Sequence, residues 1–286
     1  MKHLPDSALG DYRLVRPLGE GASARVYMAQ HLHQGHWVAL KVYAPAAAQD
    51  DDEHPEIRRR FLLEAEVIKR LQHPDIVSLK DAGESAGSLW LAMELAPGHS
   101  LQRHTDRGHL LPVPAVLGIG IRLARAMAHA HDLGIVHRDV KPSNVLVDLA
   151  TGSVKLTDFG TARLPDSRRT GTELILGTPV YMAPEQLASS TASAASDLYS
   201  LGVLLFELLT GQLPHQSASL GELLRLVATA PAPDLRQLRP ASPPELAEVV
   251  ARLLAKRPAE RPASGIDAAV QMSQVLATWP GPSCGA

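Results

Sequence analysis

The sequence predicts an α+β fold in two parts: a small strand-rich region, then a larger region that is mostly helical. Three observations lead there. Short β-type runs bounded by turn residues recur through roughly the first ninety residues. A single amphipathic helix interrupts them. After Glu94–Ser100 (ELAPGHS) the apolar residues switch to helical spacing and keep it almost to the C-terminus.

Taken in order, YRLVRPL, RVYMAQH, WVALKVY, IVSLKDAG and LWLAMEL read as strands. The helix is Ile57–Gln72, closed by His73-Pro74. The acidic, Pro-flanked stretch before it reads as a solvated loop. In the second part, Pro114 suits the first turn of a helix that stops at Gly134. Ser196–Gly211 (SDLYSLGVLLFELLTG) is apolar nearly all round, which predicts a buried helix. LGELLRLVAT, PELAEVVARLLAK and SGIDAAVQMSQVLATW are amphipathic helices, and APAPDLRQLRPASPPE is a Pro-rich loop between two of them. There is no internal repeat.

Composition narrows the function. Across 286 residues the net charge is −2, so the strong basic excess of a nucleic-acid binder is missing. Aromatic residues are 4%, so the core is mostly aliphatic. The single cysteine, Cys284, rules out an internal disulfide framework and fits a reducing, cytoplasmic setting. MKHLPDSALG lacks the apolar stretch of a secretory signal. No run reaches the ~18–20 apolar residues a membrane helix needs. The expectation is a soluble chain with no membrane insertion of its own, although a longer form could carry an anchor beyond Ala286.

Four stretches could carry chemistry. In LGEGASARVY (Leu18–Tyr27), Gly19 and Gly21 sit in a turn between two strands, where backbone N–H groups can approach a phosphate. The turn leads into a strand, not a helix, so it is not a Rossmann turn. In WVALKVY, Ala39, Lys41 and Tyr43 share one strand face. In the helix, Glu64 lies on the apolar face with Phe61, Ile68 and Leu71. An inward carboxylate needs a cation, and Lys41 is the natural partner. The third stretch, VHRDVKPSNVLV, wedges a polar cluster between two hydrophobic runs. The fourth, VKLTDFGTAR, sets Asp158 after a β-type run. Asp158 and Asn144 are hard oxygen donors suited to Mg²⁺.

These motifs occur in one order: Gly19-x-Gly21, VALK ending at Lys41, Glu64, HRDVKPSN, DFG, and MAPE at Met182–Glu185. In that order the sequence resembles the bacterial eukaryotic-like (Hanks-type) serine/threonine protein kinases, from about Asp11 to about Leu276. The resemblance implies a bilobal protein-kinase-like fold. Its small lobe would be residues 11–96 and its large lobe 97–276, with tails at 1–10 and 277–286.

It also implies roles. Asp139 accepts or orients the substrate hydroxyl proton and Lys141 steadies the γ-phosphate. Asn144 and Asp158 hold Mg²⁺, with Mn²⁺ as an alternative. Lys41 holds the α- and β-phosphates of ATP and pairs with Glu64. The Gly-rich turn, Leu18, Gly19, Glu20, Gly21, Ala22, Ser23 and Ala24, covers the triphosphate. Ala24 stands where the family often has a third glycine. Val26, Ala39 and Leu146 sandwich adenine, Met93 is the gatekeeper, and Glu94, Leu95 and Ala96 form the hinge. His137 and Phe159 look like packing residues. Lys141 and Thr178 mark the serine/threonine branch. Arg138 could receive an activation-loop phosphate, with Thr170 and Thr172 as autophosphorylation sites. Glu185 would pair with Arg261, and Asp197 would brace the catalytic loop. The expected partners are ATP and protein Ser/Thr substrates including the chain itself, with a transient homodimer as a further option and no nucleic acid. Two rivals stand beside this: a pseudokinase-like signalling scaffold, and a small-molecule phosphotransferase. Intact Lys41, Asp139, Asn144 and Asp158 argue against the first.

Overall fold

The computed structural model describes residues 7–21, 24–43, 53–85, 87–159, 179–189 and 192–279. The chain divides into two compact units, Met1–Pro97 and Gly98–Ala286.

The first unit is built on an antiparallel six-stranded sheet in the order β1-β2-β3-β4-β6-β5. Its strands are β1 (Ala8–Leu9), β2 (Tyr12–Glu20), β3 (Ala24–His31), β4 (Trp37–Tyr43), β5 (Leu79–Ser85) and β6 (Ser88–Glu94). The period-2 alternation in β4 explains its orientation. Val38, Leu40 and Val42 are buried against Tyr12, Leu14 and Tyr27, while Ala39 and Lys41 point to the other face. Helix α1 (Glu53–Arg70) buries Phe61, Glu64, Val67 and Ile68. It starts a turn earlier than the apolar pattern suggests and ends two residues sooner.

Two expectations need correction here. The tail expected at residues 1–10 is in part a strand, since Ala8–Leu9 pair with Arg13 and Tyr12 at the sheet edge. Leu9 is buried, and its apolar area is what secures so short a strand. The strand expected from Ile76 begins only at Leu79. Ile76 and Val77 are buried in a turn instead, with the Ile76 N–H donating to the His73 carbonyl. A short apolar run does not distinguish a strand from a buried turn.

The second unit carries a small three-stranded sheet, β7 (His99–Ser100), β8 (Val145–Asp148) and β9 (Ser153–Leu156). Its helices are α2 (Val113–Asp132), α3 (Pro184–Ser189), α4 (Ala194–Thr210), α5 (Leu220–Thr229), α6 (Leu235–Leu238), α7 (Pro244–Leu253) and α8 (Gly265–Ala277). Every residue of α4 from Ser196 to Thr210 is buried, as its all-round apolar sequence requires. Gly211 ends it in the left-handed region at φ 71°, its N–H donating to the Glu207 carbonyl at 2.7 Å. Helices α2 and α8 approach so closely at Gly265 that a Cβ there would collide with the Ala124 carbonyl. Gly98, at φ 89°, is equally constrained by the Val147 carbonyl. Within the Pro-rich stretch expected to be all loop, Asp234 caps α6 by accepting from the Arg236 N–H at 2.9 Å. Among the described residues no helix is long and apolar enough to cross a membrane.

Candidate active site

In the first unit the site grows from one strand face. Lys41 Nζ lies 2.7 Å from Glu64 Oε1, and Glu64 is only 3% exposed. The other carboxylate oxygen accepts from the Tyr43 hydroxyl. Tyr43 shares the Lys41 face of β4, two residues on, and stacks edge-on against Phe61 of α1 at 5.7 Å. So both oxygens of an inward carboxylate are satisfied from one strand, which offsets the cost of burying the charge. The face alternation places Tyr43 beside Lys41, but nothing in the sequence signals its bond to Glu64.

The Gly-rich turn lies on the next hairpin. Leu18, Gly19 and Glu20 are exposed at the end of β2. The Gly21 N–H donates to the Ala24 carbonyl at 2.9 Å, and Ala24 opens β3. Arg25 holds Glu20 from the opposite strand at 2.6 Å. Ala22 and Ser23 lie outside the described residues. Val26 pairs with Lys41, and Ala39 with Met93, so three expected nucleotide-contacting residues and Lys41 form a patch across β3, β4 and β6. The Glu94 N–H donates to the Ser78 carbonyl and its carboxylate accepts from Ser78, while Leu95 and Ala96 come directly after the end of β6.

In the second unit the polar cluster resolves into a set of partners. Asp139 Oδ2 lies 2.7 Å from Lys141 Nζ and 2.9 Å from Asn144 Nδ2. Asn144 Nδ2 also donates to the Asp139 carbonyl at 2.8 Å, leaving its amide oxygen without a protein donor among the described residues. The Asn144 carbonyl accepts from the Thr157 N–H at 2.9 Å, which ties the start of the Asp158 segment to the loop that carries Asp139. Asp158 itself sits at φ 61°, in the left-handed region that Asp adopts more readily than most non-glycine residues. Leu146 pairs with Ser100 and Lys155 across the small sheet.

His137 is fully buried. Its Nε2 lies 3.0 Å from the Thr157 carbonyl, and its Nδ1 accepts from the Asp139 N–H at 3.2 Å. A carbonyl only accepts, so Nε2 is the donor in that contact, and the structure engages both ring nitrogens in local hydrogen bonds. Its ring stacks on Phe159 at 4.5 Å.

Asp197, at the start of α4, holds the loop. Its Oδ2 accepts from the His137 N–H and from His131 Nε2, and its Oδ1 from the Arg138 N–H, each at 2.8 Å. Arg138 stands at φ 72°, the turn that aims both N–H groups at one carboxylate. Burial pushes the Asp197 carboxyl up, but the His131 hydrogen bond, helped by the Arg138 N–H, holds it below its ordinary value. His131 gives no signal in the sequence, being one of two histidines in the last turn of a helix.

Further out, Glu185 and Arg261 form a two-pronged pair at 2.7 and 2.8 Å. Arg261 also donates to the carbonyls of Ala195, Ala255 and Lys256, so all five of its N–H donors are used. Burial would raise the Glu185 carboxyl; the Arg261 and Ser196 hydrogen bonds outweigh it and keep it low. Tyr181 donates to Glu207 at 2.6 Å, a buried pair that the sequence does not reveal. Gly160, Thr170, Thr172 and Thr178 lie outside the described residues.

The family described as protein kinase domain matches residues 12–275. This chain belongs to the protein kinase family. The kinase domain is 37% identical to the serine/threonine-protein kinase PrkC of Bacillus subtilis over 254 residues, covering 88% of this chain and 38% of PrkC. It is 40% identical to the DNA damage-responsive kinase RqkA of Deinococcus radiodurans over 264 residues, covering 90% of this chain and 38% of RqkA. It thus spans about two-fifths of the length of these relatives. The crystal structure of the Mycobacterium tuberculosis PknI kinase domain superposes with a TM-score of 0.73 at 34% identity, covering 95% of this chain and 99% of that one. The α+β kinase fold and the bacterial serine/threonine kinase resemblance read from the sequence are both borne out.

Proposed function

We propose that this kinase domain transfers the γ-phosphoryl group of Mg-ATP to Ser and Thr hydroxyls of proteins in the cytoplasm, its own chain included. The observation that carries this reading is Asp139 held between Lys141 and Asn144 on a loop whose backbone is fixed by Asp197. In the reaction the acceptor oxygen bonds to the γ-phosphorus, the bond to the bridging oxygen of ADP breaks, and the acceptor proton passes to Asp139. The Lys141 ammonium balances charge on the transferring phosphoryl group. Lys41, oriented by Glu64, holds the α- and β-phosphates. Catalysis is then positioning and electrostatic stabilisation by preset groups.

The donor set fits a hard divalent ion. One carboxylate, Asp158, and one amide oxygen, left open on Asn144, match the few protein ligands Mg²⁺ takes when phosphates supply the rest. When bound, the ion neutralises phosphate charge and orients the triphosphate. Leu18–Ala24, Val26, Ala39, Met93, Glu94, Leu95, Ala96 and Leu146 form the nucleotide-contacting set. Thr170 and Thr172 are the autophosphorylation sites, with Arg138 receiving the phosphate, and phosphopeptide mapping of active protein that finds both unmodified removes that part.

Asp139→Asn tests the central claim. The variant keeps the loop hydrogen bonds in outline but loses the proton acceptor. ATP binding should stay near wild type while phosphotransfer falls at least about a hundredfold. Turnover equal to wild type would mean the residue is misassigned.

A further inference from the structure

An open groove of about 550 Å³ lies within the second unit, away from the catalytic loop, among Leu110, Leu111, Leu209 and Leu238, with Arg107 and Arg239 at its edges. Its floor is aliphatic, its charged lining is all positive, and no acid lines it. Leu238, the last residue of α6, is 40% exposed, although Leu235, one turn back, is buried. The helix is fixed by its Asp234 cap, so Leu238 is presented to the groove rather than merely loose at the surface.

The two arginines are set differently from ordinary surface arginines. The Arg107 stem packs on Gly211 so tightly that a Cβ there would come within 2.8 Å of Arg107 Cγ. That fixes the stem and leaves the guanidinium without a hydrogen bond or ion pair among the described residues. Arg239 is anchored by one bond, donated to the Leu209 carbonyl at 2.8 Å, and its other donors have no partner among the described residues. Asp106 is adjacent in sequence yet pairs with neither arginine. Two pre-positioned forks beside an aliphatic trough complement a chain that alternates carboxylates with a branched aliphatic side chain.

We propose that this groove docks an extended segment of a partner protein, seating a leucine-type side chain between Leu110 and Leu238 while flanking carboxylates pair with Arg107 and Arg239. Binding here is separate from phosphotransfer. It would raise the local concentration of a tethered partner without touching the reacting groups.

The test uses the whole chain and a fluorescently labelled synthetic peptide of leucines flanked by aspartates. Two control peptides carry lysines for the aspartates or serines for the leucines. Saturable binding is expected for the first, with both controls weaker by about tenfold or more, and with affinity falling between about 50 and 500 mM salt. Arg107→Gln and Leu238→Ser should each weaken the first peptide by about tenfold. Neither side chain makes a polar bond among the described residues, so the thermal midpoint and basal phosphotransfer should match wild type. Equal binding of the three peptides overturns the proposal. So does binding indifferent to both substitutions, or no saturation up to about 1 mM peptide.

Discussion

Glu64 in the first unit and Asp197 in the second are both buried carboxylates, and they are stabilised in opposite ways. Glu64 depends on side chains: the Lys41 ammonium on a four-carbon stem, and the Tyr43 hydroxyl. Asp197 depends largely on the backbone, two N–H groups from consecutive residues, with His131 as the third donor. Side-chain donors can rotate away and leave the strand intact. Backbone donors cannot leave unless the loop itself unfolds. The first arrangement therefore suits a contact that is made and broken, and the second a frame that must persist through every turnover.

Removing the frame should have the larger effect. Asp197→Ala leaves two backbone N–H groups and one imidazole without the fully buried carboxylate they donate to. We expect a stability loss of about 3–5 kcal/mol in urea unfolding, together with loss of phosphotransfer, because the Arg138 turn is no longer held. An unfolding midpoint equal to wild type would show that the loop has other support and that the contrast with Glu64 is false.

Glu64→Gln should separate the two carboxylates. Tyr43 keeps an acceptor, and the Lys41 ammonium loses the Glu64 charge beside it. Stability should fall by about 1–2 kcal/mol, less than for Asp197→Ala. Phosphotransfer should fall by about tenfold to a hundredfold as Lys41 loses its aim. Comparable stability losses for the two variants would erase the distinction between mobile and fixed donors.

The same contrast decides what could be read from sequence. Glu64 was legible because a carboxylate on an apolar helix face is an anomaly, and anomalies of charge point to a partner. The roles given to Asp197, His137, Phe159 and the Glu185–Arg261 pair came through motif order, which depends on side-chain identity. The donors to Asp197 were not legible, since a backbone N–H has no letter of its own. Its direction depends on the φ of 72° at Arg138. Likewise β1 and α6 escaped notice because two or four residues are too few to show a period. Tyr181 and Glu207 are ordinary residues in the sequence until folding buries them together.

Acid should sharpen the comparison through a third buried group, with the smallest effect of the three. His215 accepts at Nε2 from Lys256 Nζ at 3.0 Å, and Lys256 also donates to the Val227 carbonyl and contacts the Tyr199 hydroxyl. Burial, and then the adjacent Lys256 ammonium, push the imidazole from 6.5 down to about 4. Between those values the unfolded chain binds a proton that the folded chain refuses, so stability falls as pH drops from about 6.5 toward 4. Asp197 responds in a different window. Its folded carboxyl is depressed below 3.8, so its contribution is intact above that value and is lost only as pH falls through the folded one. His215→Gln keeps an acceptor for Lys256 but cannot titrate. Urea midpoints measured from pH 7 down to about pH 5 should therefore decline less steeply in this variant than in wild type. Parallel curves would mean the imidazole reaches solvent when protonated, and that the network around Lys256 opens as readily as Lys41 can leave Glu64.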